Sequence, residues 1–190
     1  MIGFAVVALV LVLLVCYAVA LYNGLVRARN EVKLTWSNID VLLTQRHDEL
    51  PKLIEVCRRY MQHESQTLER VAQARSAVDA ARGAGDVSSV SRAEGALRTG
   101  LTGLYAVAER YPDLKADALF QNLQARVSGL ETAIADRREV YNDAANAQNV
   151  RIETFPDNVI AGCFDFPGVR LLKFATDEKA DVDVKAGFGG

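Results

Sequence analysis

The first 26 residues carry no charged side chain, since every Lys, Arg, Asp and Glu lies at or after Arg27. Histidine is scarce, with two residues, and the three cysteines, Cys16, Cys57 and Cys163, are far apart. Such spacing excludes a disulfide framework and a zinc knuckle. His63-Glu64 has no second His four positions on, so no H-E-x-x-H zinc motif forms. His47, Cys57 and His63 spread over roughly four helical turns, too far for one ligand set or a nucleophile–base pair. No G-x-x-x-x-G-K-[ST] run exists, and Gly83-x-Gly85 follows no strand pattern, so a phosphate cradle is excluded too. A net charge of −2 lacks the surplus of Lys and Arg that nucleic-acid backbones require. The sequence therefore names no catalytic, metal-binding or cofactor-binding residue, and it implies no cofactor and no nucleic-acid partner.

What is present begins with a run of apolar residues from Ile2 to Tyr22, interrupted only by Gly3. About 20 apolar residues at ~1.5 Å rise each match the ~30 Å hydrocarbon core of a bilayer. Residues 1–22 are read as a transmembrane helix. A cleavable signal peptide is the competing reading, since Ala18-Val19-Ala20 resembles a cleavage site; but no basic segment precedes the apolar run. Arg27, Arg29 and Lys33 flank the span on its C-terminal side, which by the positive-inside rule predicts a cytoplasmic body. The bilayer itself is thus the first partner.

From Val32 onward, apolar residues step by three and four through Trp36, Ile39, Leu43, Leu50, Leu53, Cys57 and Tyr60, then Leu68, Val71 and Val78. That is the seam of a helical bundle or coiled coil. It predicts a helix over about 23–82, kinked or broken near Pro51, where the missing N–H and the ring disturb the carbonyl of His47. Gly83 and Gly85 mark a loop. Ser91 and Glu94 resemble a capping box that opens a helix over 91–110. Gly95, Gly100 and Gly103 cost that helix about 1 kcal/mol each relative to Ala, which points to a backbone approaching closely. Tyr111-Pro112-Asp113 makes a turn, with Asp113 as a cap for a helix over 113–152. The expected fold is all-α: a transmembrane helix (1–22), an antiparallel bundle of long helices (23–154), and a mostly irregular, aromatic-rich tail (155–190).

That tail holds Phe155, Phe164, Phe166, Phe174 and Phe188, too many aromatics for a disordered segment. Val182, Val184, Ala186 and Phe188 alternate as a short strand does. Pairing of that strand with a neighbouring copy, or packing of the tail on the bundle, are both open. The lengths of the expected helices predict a first seam left partly uncovered, to be closed by another protomer. Arg46, Glu109, Arg137 and Arg138 are expected to form ion pairs between helices or protomers, because charge at a seam is tolerated only when paired.

Several segments together resemble the LemA family. They are Tyr22-Asn23-Gly24-Leu25-Val26-Arg27, Trp36-Ser37-Asn38-Ile39-Asp40-Val41, Asp48 to Leu53, and His63-Glu64. Further on come Glu109-Arg110-Tyr111-Pro112-Asp113-Leu114-Lys115-Ala116, Arg137-Arg138 with Tyr141-Asn142, and Phe155-Pro156 through Ala161-Gly162. The resemblance implies a bacterial membrane protein with an antiparallel helical body and no assigned enzymatic activity; the expected place is the bacterial inner membrane, and no enzyme is expected. One relative belongs to the magnetosome system and is linked to forming its membrane, which implies a scaffold. Others accompany a membrane E3-ligase-like domain, which implies a membrane-protein client docked in the bundle groove as the alternative. The expected function is thus a homo-oligomeric scaffold whose contacts run through Trp36, Ile39, Leu43, Arg46, Glu109, Arg137, Arg138, Tyr141 and the tail phenylalanines.

Overall fold

The computed structural model describes residues 1–172, and no strand occurs among them. The helices are α1 (Ile2–Tyr60), α2 (Ser65–Gly83), α3 (Val87–Ala108), α4 (Pro112–Ala116), α5 (Ala118–Glu153) and α6 (Asp157–Cys163). Packing divides them into two units. Unit 1 takes Met1–Gln45 and Ser128–Leu171; unit 2 takes Arg46–Val127 with Leu172. The division falls within α1 and within α5. The strand expected over 182–188 lies outside the described residues, as do Phe174 and Phe188.

In unit 1, α1 and α5 run antiparallel. Trp36 meets Tyr141 edge-on, with ring centroids 5.7 Å apart, and Gly24 faces Arg151. The buried residues of α1 are Leu25, Val32, Thr35, Ile39 and Leu43, and those of α5 are Ile134, Tyr141, Ala145 and Gln148. Both series step by three, four or seven, the spacing of one helix face. The described part of the tail, residues 155–172, is held against the helices. It includes α6, and the stretch after it is tied to α5 by side chains. Asn149 donates to the carbonyl of Val169 and accepts from its N–H, both at 2.8 Å. Gln148 donates to the carbonyl of Pro167 at 3.1 Å, and the Tyr141 hydroxyl to that of Arg170 at 3.0 Å. Burial pushes the Tyr141 phenol above its ordinary pKa.

In unit 2, the end of α1 packs with α2, α3, α4 and the start of α5 around one core. Leu50, Leu53, Cys57 and Met61 from α1 and the turn after it meet Leu68, Val71 and Val78 from α2, Leu97, Leu101 and Leu104 from α3, Leu114 from α4, and Phe120, Leu123 and Val127 from α5. The first seam is therefore covered by the chain's own helices, contrary to the expectation that another protomer closes it. On α5 the buried stripe runs through Phe120, while Leu119 points outward. The Cys57 thiol is pushed up to about 12 by burial, so it stays protonated and serves as a small apolar side chain.

Helix boundaries differ from the expected ones for identifiable reasons. The first body helix ends at Tyr60 rather than near residue 82; Met61–Glu64 form a turn held by bonds from Met61 N–H to the Cys57 carbonyl (2.8 Å) and from Glu64 N–H to the Met61 carbonyl (3.1 Å). Arg58 and Arg59 close α1 favourably against its dipole. The loop at Gly83–Asp86 is found, with Gly85 at φ +67°, but Asp86 and not Ser91 caps the next helix, accepting from the N–H groups of Ser88 and Ser89. Ser91 and Glu94 are buried inside α3. Pro112 begins α4, and Asp117 rather than Asp113 caps the long helix α5, accepting from Leu119 (2.7 Å) and Phe120 (3.2 Å). The Tyr60 hydroxyl donates to Asp117 at 2.8 Å. That bond comes first among the causes that hold the Asp117 carboxyl below, and the Tyr60 phenol above, their ordinary pKa values.

Pro51 neither breaks α1 nor ends it. In an unbroken helix, the residue 51 N–H would bond the carbonyl of His47, and proline has none to give. Arg75 of α2 supplies the donor instead: its Nε reaches the His47 carbonyl at 3.0 Å, and its Nη2 contacts His47 Nε2. Arg75→Met should cost about 1–3 kcal/mol by stranding that carbonyl. The same change in a Pro51→Ala background, where the backbone N–H returns, should cost much less. Chemical unfolding of the four variants in mild detergent measures the coupling, and equal losses in both backgrounds would rule this bridge out.

Candidate functional site

One turn of α1 carries three of the polar contacts that tie the helices of unit 2 together. Arg46 pairs with Glu94 of α3, with side chains only 3% and 5% exposed. His47 is joined to Arg75 of α2 as described, and Glu49 accepts from Arg126 of α5 at 2.6 Å and from Lys52 at 3.1 Å. Three neighbouring residues of one helix thus reach the three other long elements of the unit. No group of three or more His, Cys, Asp and Glu side chains able to hold a metal is found among the described residues. In this belt, Arg46–Glu94 is a buried ion pair, Glu49 is a buried carboxylate met by two cations that are more than half exposed, and His47 receives Arg75 at its carbonyl and ring nitrogen.

Beyond the belt, α2 and α3 form an antiparallel hairpin with a groove of about 840 Å³ on its open side. Small residues line it, among them Ala74, Ala77, Gly95, Ala96, Gly100 and Gly103, together with the arginines Arg70 and Arg92. A Cβ on Gly100 would touch Val71 of α2 in ordinary contact, whereas one on Gly103 would meet nothing within 4 Å. The glycines thus serve two ends: position 100 lies against the neighbouring helix, and position 103 opens onto the groove.

The other residues singled out by sequence are scattered. Ile39, Leu43 and Tyr141 are buried in unit 1, and Trp36 lies against Tyr141. Glu109 and Arg137 are exposed; Glu109, at the end of α3, pairs with Lys115 of α4. Arg138 is half-buried. Phe166 is buried and Phe164 is outward, at 4.9 Å from the Tyr22 ring, while Phe155 is exposed. Lys33 is exposed, and Arg29 lies 4.6 Å over the Phe166 ring. Arg27 follows the apolar run and donates to the carbonyl of Asn23 at 3.3 Å. Sequence reasoning missed Glu94, Arg75, Arg126 and Glu49 as partners in the belt. Glu94 followed Ser91 at capping-box spacing and was read locally; its real partner is 48 residues away.

Among the described residues, α1 is the one helix long and apolar enough to cross a membrane, and none of its most apolar stretch is buried. A membrane-associated, all-α protein with an N-terminal apolar helix is the class these features define. The LemA family model matches residues 35–186, and the chain belongs to that family. It is 29% identical over 165 residues to Protein LemA of Metamycoplasma hominis, covering 85% of this chain and 73% of that one. It is 24% identical over 163 residues to Magnetosome protein MamQ 2 and, equally, to MamQ 1 of Paramagnetospirillum magneticum, covering 74% of this chain. The match spans 60% of each magnetosome protein's length.

Breaking the belt on one side should be far worse than removing it. Glu94→Gln leaves Arg46 buried without its counter-charge and should destabilise by about 3–5 kcal/mol. Arg46→Met with Glu94→Met should recover most of that loss, because an apolar pair fills the same space without desolvation cost. Thermal melts followed by circular dichroism separate the cases; a double variant no more stable than Glu94→Gln would contradict this reading.

Proposed function

We propose that the chain is a non-enzymatic scaffold anchored in the bacterial inner membrane by α1, with its helical body cytoplasmic, and that copies associate through the α2–α3 groove to organise the membrane they sit on. The observation that carries the reading is the groove itself: a long channel of small side chains in which Gly103 leaves space that no part of α2 or α3 fills. Small residues let a second helix approach closely, and a helix laid in such a channel is held along several turns. Kinship with two magnetosome proteins favours a role in membrane organisation. Arg27, Arg29 and Lys33 after the span support the cytoplasmic orientation. The arginines of the groove favour a second reading, in which it docks an acidic helix of a membrane-protein client.

Gly103→Trp places an indole on the groove's lining at a position where an added Cβ meets nothing within 4 Å. Light scattering of the full chain in detergent at micromolar concentration should find an oligomer that the Trp variant reduces to smaller species at unchanged helicity. A monomer before substitution contradicts self-association. If a single stoichiometric partner is then captured and lost in Gly103→Trp, the client reading stands in its place.

A further inference from the structure

The geometry points to a second membrane contact: α6 and Phe155 just before it lie in the interfacial layer of the bilayer beside the anchor, so that unit 1 holds the membrane by a span and by a monotopic segment. This rests on the reading of α1 as a membrane span. Ile160 and Phe164 pack with Val15, Ala18, Val19 and Tyr22 of α1 around an apolar hollow of about 260 Å³. Those four α1 residues occupy the last two turns of the apolar run, and about 20 residues are needed to cross ~30 Å of hydrocarbon, so a span built from this run takes them in. A bilayer that takes in Val15 and Val19 therefore meets the segment packed against them.

The segment is suited to that place. Residues 155–166 hold only Asp157, Asn158 and Asp165 as polar side chains. Phe155, Val159 and Cys163 follow at four-residue steps and all face outward, with Phe155 78% and Phe164 59% exposed. In water this is an exposed apolar patch on the unit that carries the anchor, the kind of surface that marks a membrane or protein contact. Its continuity with the apolar run of α1 identifies the occupant as lipid. Asp157 is not free to repel headgroups, because Arg151 binds it at 2.7 Å. The guanidinium of Arg151 lies directly over Gly24, where any Cβ would collide with it. Gly24 thus lets the Arg151–Asp157 pair clamp the end of α5 and the start of α6 onto α1, about half a turn beyond the apolar run. Arg29 over the Phe166 ring secures the other end of the segment at the level of the first basic residues, and Tyr22 beside Phe164 and Phe166 completes an aromatic cluster of the kind enriched at membrane interfaces.

Two native cysteines supply the test. Cys16 lies in the span and Cys163 on α6; both are exposed, whereas Cys57 is buried away from reagents. The full chain, spin-labelled at Cys163 in a Cys16→Ala variant and at Cys16 in a Cys163→Ala variant, is reconstituted in vesicles of roughly three parts phosphatidylcholine to one of phosphatidylglycerol. A label on Arg137→Cys, in a variant lacking Cys16 and Cys163, marks the aqueous surface. Oxygen and a water-soluble nickel chelate then compete to relax each label. The oxygen-to-nickel ratio at Cys163 should exceed that at position 137 severalfold, placing it about 5–10 Å into the boundary layer, with Cys16 deeper still. A ratio at Cys163 equal to that at position 137 overturns the inference while an embedded Cys16 keeps the span. Aqueous values at both cysteines overturn the span and the inference together. Shielding of Cys163 from both relaxants, with broadening between labels of different copies, assigns the face to a second copy and also overturns it.

Discussion

The fold depends on α1 staying helical through a proline. Pro51 withdraws the one donor that would satisfy the His47 carbonyl, and Arg75 returns it from a neighbouring helix. The consequence is a 59-residue helix that begins in an apolar run and ends in the core of unit 2. Each unit then uses its own part of that helix as the surface on which the remaining elements assemble. In unit 1 these are the end of α5, α6 and the segment after it; in unit 2 they are α2, α3, α4 and the start of α5.

The place where Arg75 acts is also where unit 2 concentrates its charge. Arg46, His47 and Glu49 reach α3, α2 and α5 in turn. Buried pairs of this kind add little net stability over an apolar core, because desolvating two charges costs about as much as their attraction returns. A register that parts Arg46 from Glu94 would leave a buried charge without its partner, which is costly. The groove lies between the same two helices, α2 and α3, that Arg75 and Glu94 tie to α1.

Much of this was legible in the sequence and some was not. The apolar run, the seam from Ile39 to Val78, the loop at Gly83–Gly85 and the LemA family motifs are local signals, carried by composition and spacing, and the structure has helices and a loop at those places. The turn at Met61–Glu64 was hidden because it contains neither glycine nor proline, and Met61 continues the apolar rhythm into a buried position. Asp86 and Asp117 were passed over as caps because Ser91 and Asp113 match cap patterns close by; side-chain bonds to N–H groups, not the patterns, decide between them. Arg75 was beyond reach, since nothing in periodicity tells that a side chain on one helix will answer a carbonyl on another. Cover for the tail was rightly expected where Phe166 is buried, but Asn149 and Gln148, which strap the segment after α6 to α5, carry no spacing signal. The uncovered seam was a misjudgement of length, because once α1 ends at Tyr60 the chain has enough helices in unit 2 to close its own core.

Backbone hydrogen exchange along α1 tests the central claim most directly, on the full chain in a lipid nanodisc. If Arg75 completes one helix across Pro51, the amides from Asp48 to Val56 exchange slowly as a continuous block, in step with those of α2 facing them. A fast-exchanging window at Lys52–Ile54, with protection on either side, would mean that α1 is two helices joined at Pro51 and would contradict the Arg75 bridge as the feature that keeps it whole.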